Sequence, residues 1–349
     1  MHDTRTMIAC AAALFTTAVA IVVLRRLAAP LGLLDRPDAR KQHVGSVPLV
    51  GGLAVFCGVV VGAWWYGDAT PFNRILLTTT AALTIMGALD DRQGLSVRAR
   101  LLIQTAAILI VIGSTDVYIR TLGIINGVQI QLGPIGIPLT LIAVIGLLNA
   151  FNMMDGIDGL AGSMGLVSIG TIFMFHHQDI SPGVTILIAM LAAGMLPYLA
   201  ANLGFFGRKI FMGDAGSMAL GYLLGWTLIQ LSQSGSSDLQ PVDVLWCVAL
   251  PALDTLAVMY RRMRNRQSPF KPDRGHVHHM LLQLGLSPRV TLLVLVIVAI
   301  CLAFIGNIVH QYGQGVSLAM FCSVLVTYIL FATRRWPIIT GQAVQQRGQ

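Results

Sequence analysis

The chain of 349 residues is 55% hydrophobic and only 11% charged, and its formal net charge is +8. Soluble domains carry about 25% charged residues, so this composition excludes an ordinary soluble domain and indicates a membrane protein. The positive charge needs no nucleic-acid partner, because basic loops on the inner side of a membrane protein account for it.

Eleven apolar runs have lengths near the ~20 residues that a helix needs to cross a bilayer. They predict an all-α, polytopic membrane helix bundle that forms one domain over residues 1–349. In chain order the runs are 7–24, 49–66, 75–89, 101–115, 135–151, 160–175, 184–200, 218–231, 242–260, 290–309 and 316–333.

The basic residues predict the orientation of the bundle. With the N-terminus outside and the C-terminus inside, only Arg5, Arg74 and Arg120 of the 23 Lys and Arg residues fall on the outer side. Lys and Arg resist translocation, so the inner connections are predicted to be cytoplasmic. These loops are approximately residues 25–48, 90–100, 152–159, 201–217 and 261–289.

All fifteen acidic residues are aspartates, and those on the inner side are grouped. Asp90 and Asp91 close the third run, where the partial negative charge of a helix C-terminus disfavours two carboxylates without a cation. The pair is either an interfacial charge cluster balanced by nearby arginines or part of a metal site.

A polar stretch, NAFNMMDGIDGLAG at residues 149–162, interrupts the apolar chain. Asp155 and Asp158 are three residues apart, so both carboxylates share a face if the sixth helix begins there, with Asn152 three residues earlier. Helix capping would explain one aspartate but not the other polar residues. The segment FMGDAGS at 211–217 places Asp214 between glycines at the start of the eighth run, where capping is again the alternative.

Carboxylates at the inner ends of three helices, with hard oxygen ligands only, predict a Mg²⁺ site. Mg²⁺ typically takes one or two carboxylates together with waters and substrate phosphates, which indicates phosphoryl chemistry. Mn²⁺ is the alternative metal. Asp254 lies well inside a predicted span, and a carboxylate in that position indicates a functional role or a buried, hydrogen-bonded one.

The last inner loop, YRRMRNRQSPFKPDRGHVHHM at residues 260–280, combines basic residues with three histidines. Attraction to anionic membrane lipids is one explanation of such a segment. Arginine forks also bind phosphate, and imidazoles add donors, so a diphosphate is the other candidate ligand. The candidate contributors are Arg264, Arg266, His276, His278 and His279.

Five motifs in this order resemble the polyprenyl-phosphate N-acetylhexosamine-1-phosphate transferase family: RKQHVGSVPLVGG, GALDDRQGLSV, NAFNMMDGIDGLAG, FMGDAGS and DRGHVHH. The likeness spans about residues 36–280, and HVHH resembles the bacterial undecaprenyl-phosphate GlcNAc-1-phosphate transferase branch. It implies a Mg²⁺-dependent enzyme of the bacterial inner (plasma) membrane with a cytoplasmic active site. Such an enzyme transfers GlcNAc-1-phosphate from UDP-N-acetylglucosamine to undecaprenyl phosphate, releases UMP and initiates a lipid-linked cell-surface polysaccharide.

The resemblance also implies roles for individual residues. The paired aspartates Asp90 and Asp91 would be catalytic, and Asn152 and Asp214 would hold Mg²⁺. The uridine site would be formed by Lys41, Gly156, Ile157, Asp158 and Phe211.

Further residues have supporting roles in this reading. Asp155 and Asp254 would support the active site. Arg98 would approach the lipid phosphate, where many relatives have a lysine. The five candidates of the last loop would hold the diphosphate and sugar of the donor.

Several alternatives stay open at this point. UDP-GalNAc would serve the same chemistry as a donor, and a homodimer is left open. A secondary transporter is the alternative of another class, because many spans with membrane carboxylates also occur there. Transporters, however, place their ionisable residues near the bilayer midplane on broken helices, whereas most of these aspartates lie at helix ends.

Overall fold

The computed structural model describes residues 2–35, 45–67, 70–175, 183–234, 238–267 and 275–335. Helices make up most of these residues. The α-helices of the described residues are α1 (His2–Leu31), α2 (Gly51–Tyr66), α3 (Pro71–Gln93), α4 (Val97–Thr115), α5 (Gly136–Met154), α6 (Leu160–Phe175), α7 (Val184–Asn202), α8 (Gly213–Gln233), α9 (Asp243–Cys247), α10 (Ala249–Arg264), α11 (Val277–Gln283), α12 (Pro288–His310) and α13 (Gln314–Leu330). A 3-10 turn at Gly133–Ile135 precedes α5, and a π-helical turn at Phe331–Arg335 follows α13.

Seven helices of the described residues are long and apolar enough to cross a membrane, namely α1, α3, α4, α5, α7, α12 and α13. The apolar helices α2 and α6 are shorter. Large apolar side chains cover the outside of the bundle, among them Phe15, Leu102 and Ile142, as expected for helices that face lipid. The prediction of an all-α polytopic membrane protein is confirmed, while the number of crossings and the orientation stay predictions.

Each predicted apolar run coincides with helical structure, but the ninth run is divided. Here α9 ends at Cys247 and α10 begins at Ala249, with Val248 between them outside the helical region (φ −125°, ψ 30°). Pro251 explains the break, because a proline has no amide hydrogen to donate to the carbonyl four residues earlier, that of Cys247. The short helix α11 lies in the basic loop and was not predicted.

A capping residue precedes each of the helices α3 and α4. The hydroxyl of Thr70 accepts a hydrogen bond from the amide of Asn73 at 3.2 Å, and Pro71 occupies the first helical position. The hydroxyl of Ser96 accepts from the amide of Ala99, also at 3.2 Å. Each bond satisfies an amide that the helix itself leaves free. Only residues 94–96 separate the end of α3 from the start of α4, so a tight turn joins the two helices.

The central helix is α8, which is buried along nearly its whole length and packs against α2, α3, α5, α6 and α7. Small residues allow this packing. A Cβ atom on Gly52 of α2 would lie 2.0 Å from the Cα of Gly216, and one on Gly87 of α3 would lie 2.4 Å from the Cα of Ala215. Small residues let helix backbones approach closely within a membrane. The first turn of α8 is thus held between α2 and α3.

Two short antiparallel pairs of strands were not predicted. Strand β1 (Leu34–Asp35) pairs with β2 (Val47–Pro48), and β3 (Thr121–Ile125) pairs with β4 (Val128–Gln131). The second pair turns at Asn126 and Gly127, which both have positive φ. An Asn-Gly pair is typical of a two-residue hairpin turn, so the sequence carried a signal for it.

Candidate active site

The carboxylate of Asp91, at the end of α3, caps the N-terminus of α8. Its two oxygens accept hydrogen bonds from the backbone amides of Asp214 at 3.0 Å and of Ala215 at 3.3 Å. Gly213 has φ 70°, and a Cβ atom there would lie 2.5 Å from Asp91 Oδ2. The amides at a helix N-terminus lack partners within the helix and favour negative charge. The alternative that Asp214 caps its own helix is wrong, because Asp91 supplies the cap from another helix.

The side chain of Asp214 is consequently available to a different partner. Asn152, in the last turn of α5, donates through Nδ2 to Asp214 Oδ1 at 2.8 Å and to the hydroxyl of Ser217 at 3.1 Å. The two residues expected to hold a metal are therefore in direct contact, although 62 positions separate them in the chain.

A cation lies between two of the aspartates. Asp90 is buried, and its carboxylate accepts from the amide of Leu95 at 2.6 Å and from Arg100 Nη1 at 2.9 Å. The same nitrogen of Arg100 is 3.8 Å from Asp214 Oδ2. Arg100 thus links the end of α3 to the start of α8.

Arg98, the arginine to which the sequence reading gave the lipid phosphate, is exposed. Residues two positions apart in an α-helix are separated by about 200° around its axis, so Arg98 and Arg100 point in nearly opposite directions from α4. The cation that reaches the aspartates is Arg100, and a lipid-phosphate role for Arg98 stays a prediction.

The segment from Asp155 to Gly159 is a non-helical turn, and α6 begins only at Leu160. The expectation that Asp155 and Asp158 share a helical face is therefore wrong. The physical reason lies at Gly159, whose φ of 81° takes the chain out of the helical region. Its amide donates to the side-chain oxygen of Asn202 at the end of α7.

This turn, residues 155–159, is also joined to the connection between α7 and α8. Asn202 donates through Nδ2 to the carbonyl of Ile210 at 2.8 Å. Asp158 forms an ion pair with Lys209. The polar stretch and the FMGD segment are thus assembled into one surface.

Asp91, Asp155, Asp158 and Asp214 form an acidic cluster. Burial raises the pKa of Asp155 to about 7, with smaller contributions from the carboxylates of Asp214 and Asp158. A bound divalent cation would favour the charged form of this buried carboxyl and lower its pKa again. Among the described residues, no three acidic, histidine or cysteine side chains form a metal site by themselves. The contact pair Asn152–Asp214 offers hard oxygen donors and fits Mg²⁺, which completes its coordination with waters and substrate phosphates.

The first inner loop meets the same surface through its backbone. Phe211 donates from its amide to the carbonyl of Pro48 at 2.8 Å and accepts from the amide of Gly51 at 2.9 Å. Gly156, Ile157 and Asp158, which were also predicted for the uridine site, lie in the 155–159 turn. Lys41, also predicted for this site, lies outside the described residues.

The histidine segment is held by Asp254, which is buried in α10. Its Oδ2 lies 2.7 Å from His276 Nδ1, and its Oδ1 accepts from the amide of Val277 at 2.9 Å. The hydroxyl of Tyr328 on α13 donates to the same Oδ1 at 2.8 Å. Both oxygens of the buried Asp254 carboxylate are thus hydrogen-bonded, and the carboxylate orients the start of α11.

His278 lies against the 155–159 turn. A Cβ atom on Gly156 would come within 2.1 Å of His278 Nε2, so a larger residue there would displace the imidazole. Burial, followed by the neighbouring His279, lowers the pKa of His278 to about 3, which keeps its imidazole neutral. Both of its ring nitrogens are buried and have no hydrogen-bond partner among the residues that the structure describes. His276 stacks on it with ring centroids 6.1 Å apart.

The predicted arginines of this loop lie further out. Arg264 and Arg266 are exposed at the end of α10, and their contact with a donor stays a prediction. Arg261 is partly buried and donates to the carbonyl of Gly275 at 3.2 Å, directly before the histidines.

Sequence reasoning included Arg100 among the arginines that could balance Asp90 and Asp91, but it missed four other residues that the fold brings to this site: Asn202, Lys209, Arg261 and Tyr328. The basic residues stood in the predicted inner loops, so a signal existed, although nothing singled them out. Tyr328 stands inside the last apolar run, where no local pattern marks it.

An acidic, oxygen-rich site at one end of a membrane helix bundle, with the histidines of α11 beside it, is the arrangement expected of a membrane enzyme that acts on phosphates. The family model described as glycosyl transferase family 4 matches residues 73–232. The chain belongs to this family, which confirms the membership that the five motifs predicted.

Individual relatives match most of the chain. It is 38% identical to the undecaprenyl-phosphate alpha-N-acetylglucosaminyl 1-phosphate transferase of Yersinia pestis, over 91% of this chain and 89% of that protein. The protein of the same name from Escherichia coli strain K12 is 38% identical over 93% of this chain and 90% of its own length. The one from Haemophilus influenzae is 36% identical over 91% of both chains. The class is thus that of a transferase, and the transporter alternative has no support.

Proposed function

We propose that this protein transfers GlcNAc-1-phosphate from UDP-GlcNAc to undecaprenyl phosphate and releases UMP. Relatives named for GlcNAc-1-phosphate transfer to undecaprenyl phosphate cover about nine tenths of the chain. The observation that carries the proposal is the contact of Asn152 with Asp214, at the start of the helix that Asp91 caps. These three residues join the ends of α3, α5 and α8 into one oxygen-rich site. The site would face the cytoplasm of a bacterial inner membrane.

The reaction forms one bond and breaks one. An oxygen of the acceptor phosphate becomes bonded to the phosphorus that carries GlcNAc, and the bond from that phosphorus to the oxygen of UMP breaks. The acceptor is a phosphate monoester with a second pKa near 6, so most of it is already dianionic at neutral pH. A strong base is not required, and catalysis consists mainly of positioning and charge neutralisation.

The residues at the ends of α3, α5 and α8, together with Arg100, have separate roles in this positioning and charge neutralisation. Asp91 fixes the first turn of α8, and Arg100 balances Asp90 while remaining within 3.8 Å of Asp214. Asn152 and Asp214 would hold Mg²⁺, with Mn²⁺ as the alternative. When bound, the metal would supply positive charge to the phosphates of the donor.

The donor would lie between the 155–159 turn and α11. The neutral imidazole of His278 lies with Nε2 beside Gly156, and neither of its ring nitrogens has a partner among the described residues. Such nitrogens can exchange hydrogen bonds with a sugar or a phosphate. Gly156, Ile157, Asp158 and Phe211 would surround the uridine. No described side chain visibly reads the one hydroxyl that distinguishes UDP-GalNAc, so that donor is the alternative.

The test is an assay of the purified protein with undecaprenyl phosphate, Mg²⁺ and separate radiolabelled donors. We expect a labelled lipid and equimolar UMP from UDP-GlcNAc, less product from UDP-GalNAc, and none from UDP-MurNAc-pentapeptide. Efficient use of the pentapeptide donor, or no lipid from UDP-GlcNAc, would contradict the assignment. Omission of divalent metal should abolish turnover.

A matched pair of variants tests the metal residues. Asp214→Asn should reduce turnover by roughly 10²-fold or raise the Mg²⁺ requirement, because loss of groups around a metal commonly costs 10–100-fold. Asp116→Asn is the control, since Asp116 is exposed and its salt bridge with Arg120 lies at the opposite end of α4. An unchanged Mg²⁺ dependence in Asp214→Asn would place the metal elsewhere.

A further inference from the structure

Asp254 joins three helices through one buried carboxylate. It belongs to α10, two of its partners stand at the start of α11, and the third is Tyr328 on α13, which is 74 positions later in the chain. Only 1% of Asp254 is exposed, so its charge depends on these partners rather than on water. A buried carboxylate is costly unless its oxygens are hydrogen-bonded.

The partners of Asp254 at the start of α11 differ in role from Tyr328. His276 and Val277 belong to residues 276–279, the segment predicted to bind the sugar-nucleotide donor and called the donor segment below, and Asp254 holds both of them in place. Tyr328 belongs to none of the sequence motifs, and its hydroxyl donates to the same oxygen, Oδ1, as the amide of Val277. It therefore fixes the direction from which Asp254 presents that oxygen to α11.

The position of α11 in turn sets the position of His278. The helix has only seven residues, and His278 is its second. Because the His278 ring fills the space beside Gly156, a small displacement of the start of α11 moves the imidazole against the 155–159 turn. An isolated helix of seven residues is not stable by itself, so the position of α11 depends on tertiary contacts such as those with Asp254.

We propose that Tyr328 is a positioning residue for the sugar-nucleotide donor: it holds Asp254, which orients His276 and anchors α11 against the 155–159 turn. Tyr328 itself touches no substrate. The identity of the donor rests on the function proposed above. The resemblance assigns the lipid phosphate to Arg98 on α4, whereas Tyr328 acts on α10 and α11, so we expect the effect of Tyr328 to be specific to the donor.

The test is the isosteric change Tyr328→Phe, compared with Tyr222→Phe. Tyr222 is the matched control, because its hydroxyl is also buried and bonded, at 3.0 Å to Thr79 Oγ1 and at 3.2 Å to the carbonyl of Ala107, away from the donor segment. Loss of a hydrogen bond to a buried carboxylate corresponds to about a tenfold change in an equilibrium constant. We expect Tyr328→Phe to raise the KM for UDP-GlcNAc about tenfold and to leave the KM for undecaprenyl phosphate unchanged.

A second readout does not depend on turnover. Hydrogen exchange measured by mass spectrometry should show faster exchange at residues 277–283 in Tyr328→Phe, and no change there in Tyr222→Phe. Equal shifts of both KM values, or wild-type donor KM and wild-type exchange, would overturn the positioning role. If the wild-type protein makes no lipid from UDP-GlcNAc, the proposed function fails, and the exchange of α11 alone decides whether Tyr328 positions it.

Discussion

The carboxylate of Asp91 on α3 lies 3.0 Å from the backbone amide of Asp214 on α8, across 123 positions of the chain. This contact makes the end of one helix the cap of another. It releases the Asp214 side chain for Asn152, and it requires that no side chain intrude at Gly213.

Gly213→Ala should therefore disrupt the site. The added Cβ atom would lie 2.5 Å from Asp91 Oδ2, and the φ of 70° is unfavourable for alanine. We expect turnover to fall at least tenfold and the melting temperature to drop. Gly67→Ala is the control, because Gly67 has φ 77° and open space around it, so it tests the backbone strain of about 1–2 kcal/mol alone. Equal losses of turnover in both variants would show that the clash with Asp91 is unimportant.

Replacement of Arg100 should have a larger effect than replacement of Arg98. Arg100→Ala leaves the buried carboxylate of Asp90 without its cation, which we expect to destabilise the protein by about 1–3 kcal/mol and to reduce turnover more than tenfold. Arg98→Ala, at an exposed position, should stay within about 0.5 kcal/mol of the wild-type stability. Thermal unfolding and steady-state kinetics measure both.

The Arg98→Ala and Arg100→Ala variants also distinguish binding of the lipid phosphate from neutralisation of the buried aspartates. If Arg98 contacts the lipid phosphate, Arg98→Ala raises the KM for undecaprenyl phosphate without loss of stability. A variant of Arg100 that keeps full stability and turnover would contradict the link between Asp90 and Asp214.

His278 should make stability depend on pH. Burial lowers its pKa to about 3 in the folded protein from an ordinary value of 6.5, so below pH 6.5 the unfolded chain binds a proton that the folded protein does not. Stability is therefore complete above about pH 6.5 and decreases as the pH falls from 6.5 towards 3. Melting temperatures of His278→Asn should fall less steeply over this window than those of the wild-type protein. Parallel curves for the two proteins would show that His278 is not buried as a neutral imidazole.

The orientation of the bundle is open to a direct test. Reporter fusions inserted at Gly127, in the turn between β3 and β4, and after Gln267, at the end of α10, should report opposite sides of the membrane. The basic loop should be cytoplasmic, because Lys and Arg resist translocation. Two fusions on the same side would reject the predicted topology and with it the cytoplasmic site.

The residues alone determined the membrane bundle and the residue types of the site. Long apolar runs have one stable outcome in lipid, a helix that satisfies its own backbone hydrogen bonds, so the helices could be predicted without knowledge of their neighbours. Caps such as Thr70 before Pro71 are also local. The motifs with Asp90, Asn152 and Asp214 indicated oxygen ligands and phosphate because only the chemistry of those side chains was needed.

The tertiary structure decided which side chains meet. Whether Asp91 or Asp214 caps α8, whether Arg98 or Arg100 reaches the aspartates, and that Tyr328 holds Asp254 all depend on how helices pack around α8. Packing distances are set by glycines such as Gly52 and Gly87, whose partners lie in other helices. The Asp155–Gly159 turn likewise depends on Asn202, 43 positions away from Gly159. A pattern along the chain carries helix periodicity and residue chemistry, but a contact between distant segments exists only once the backbones have been brought together.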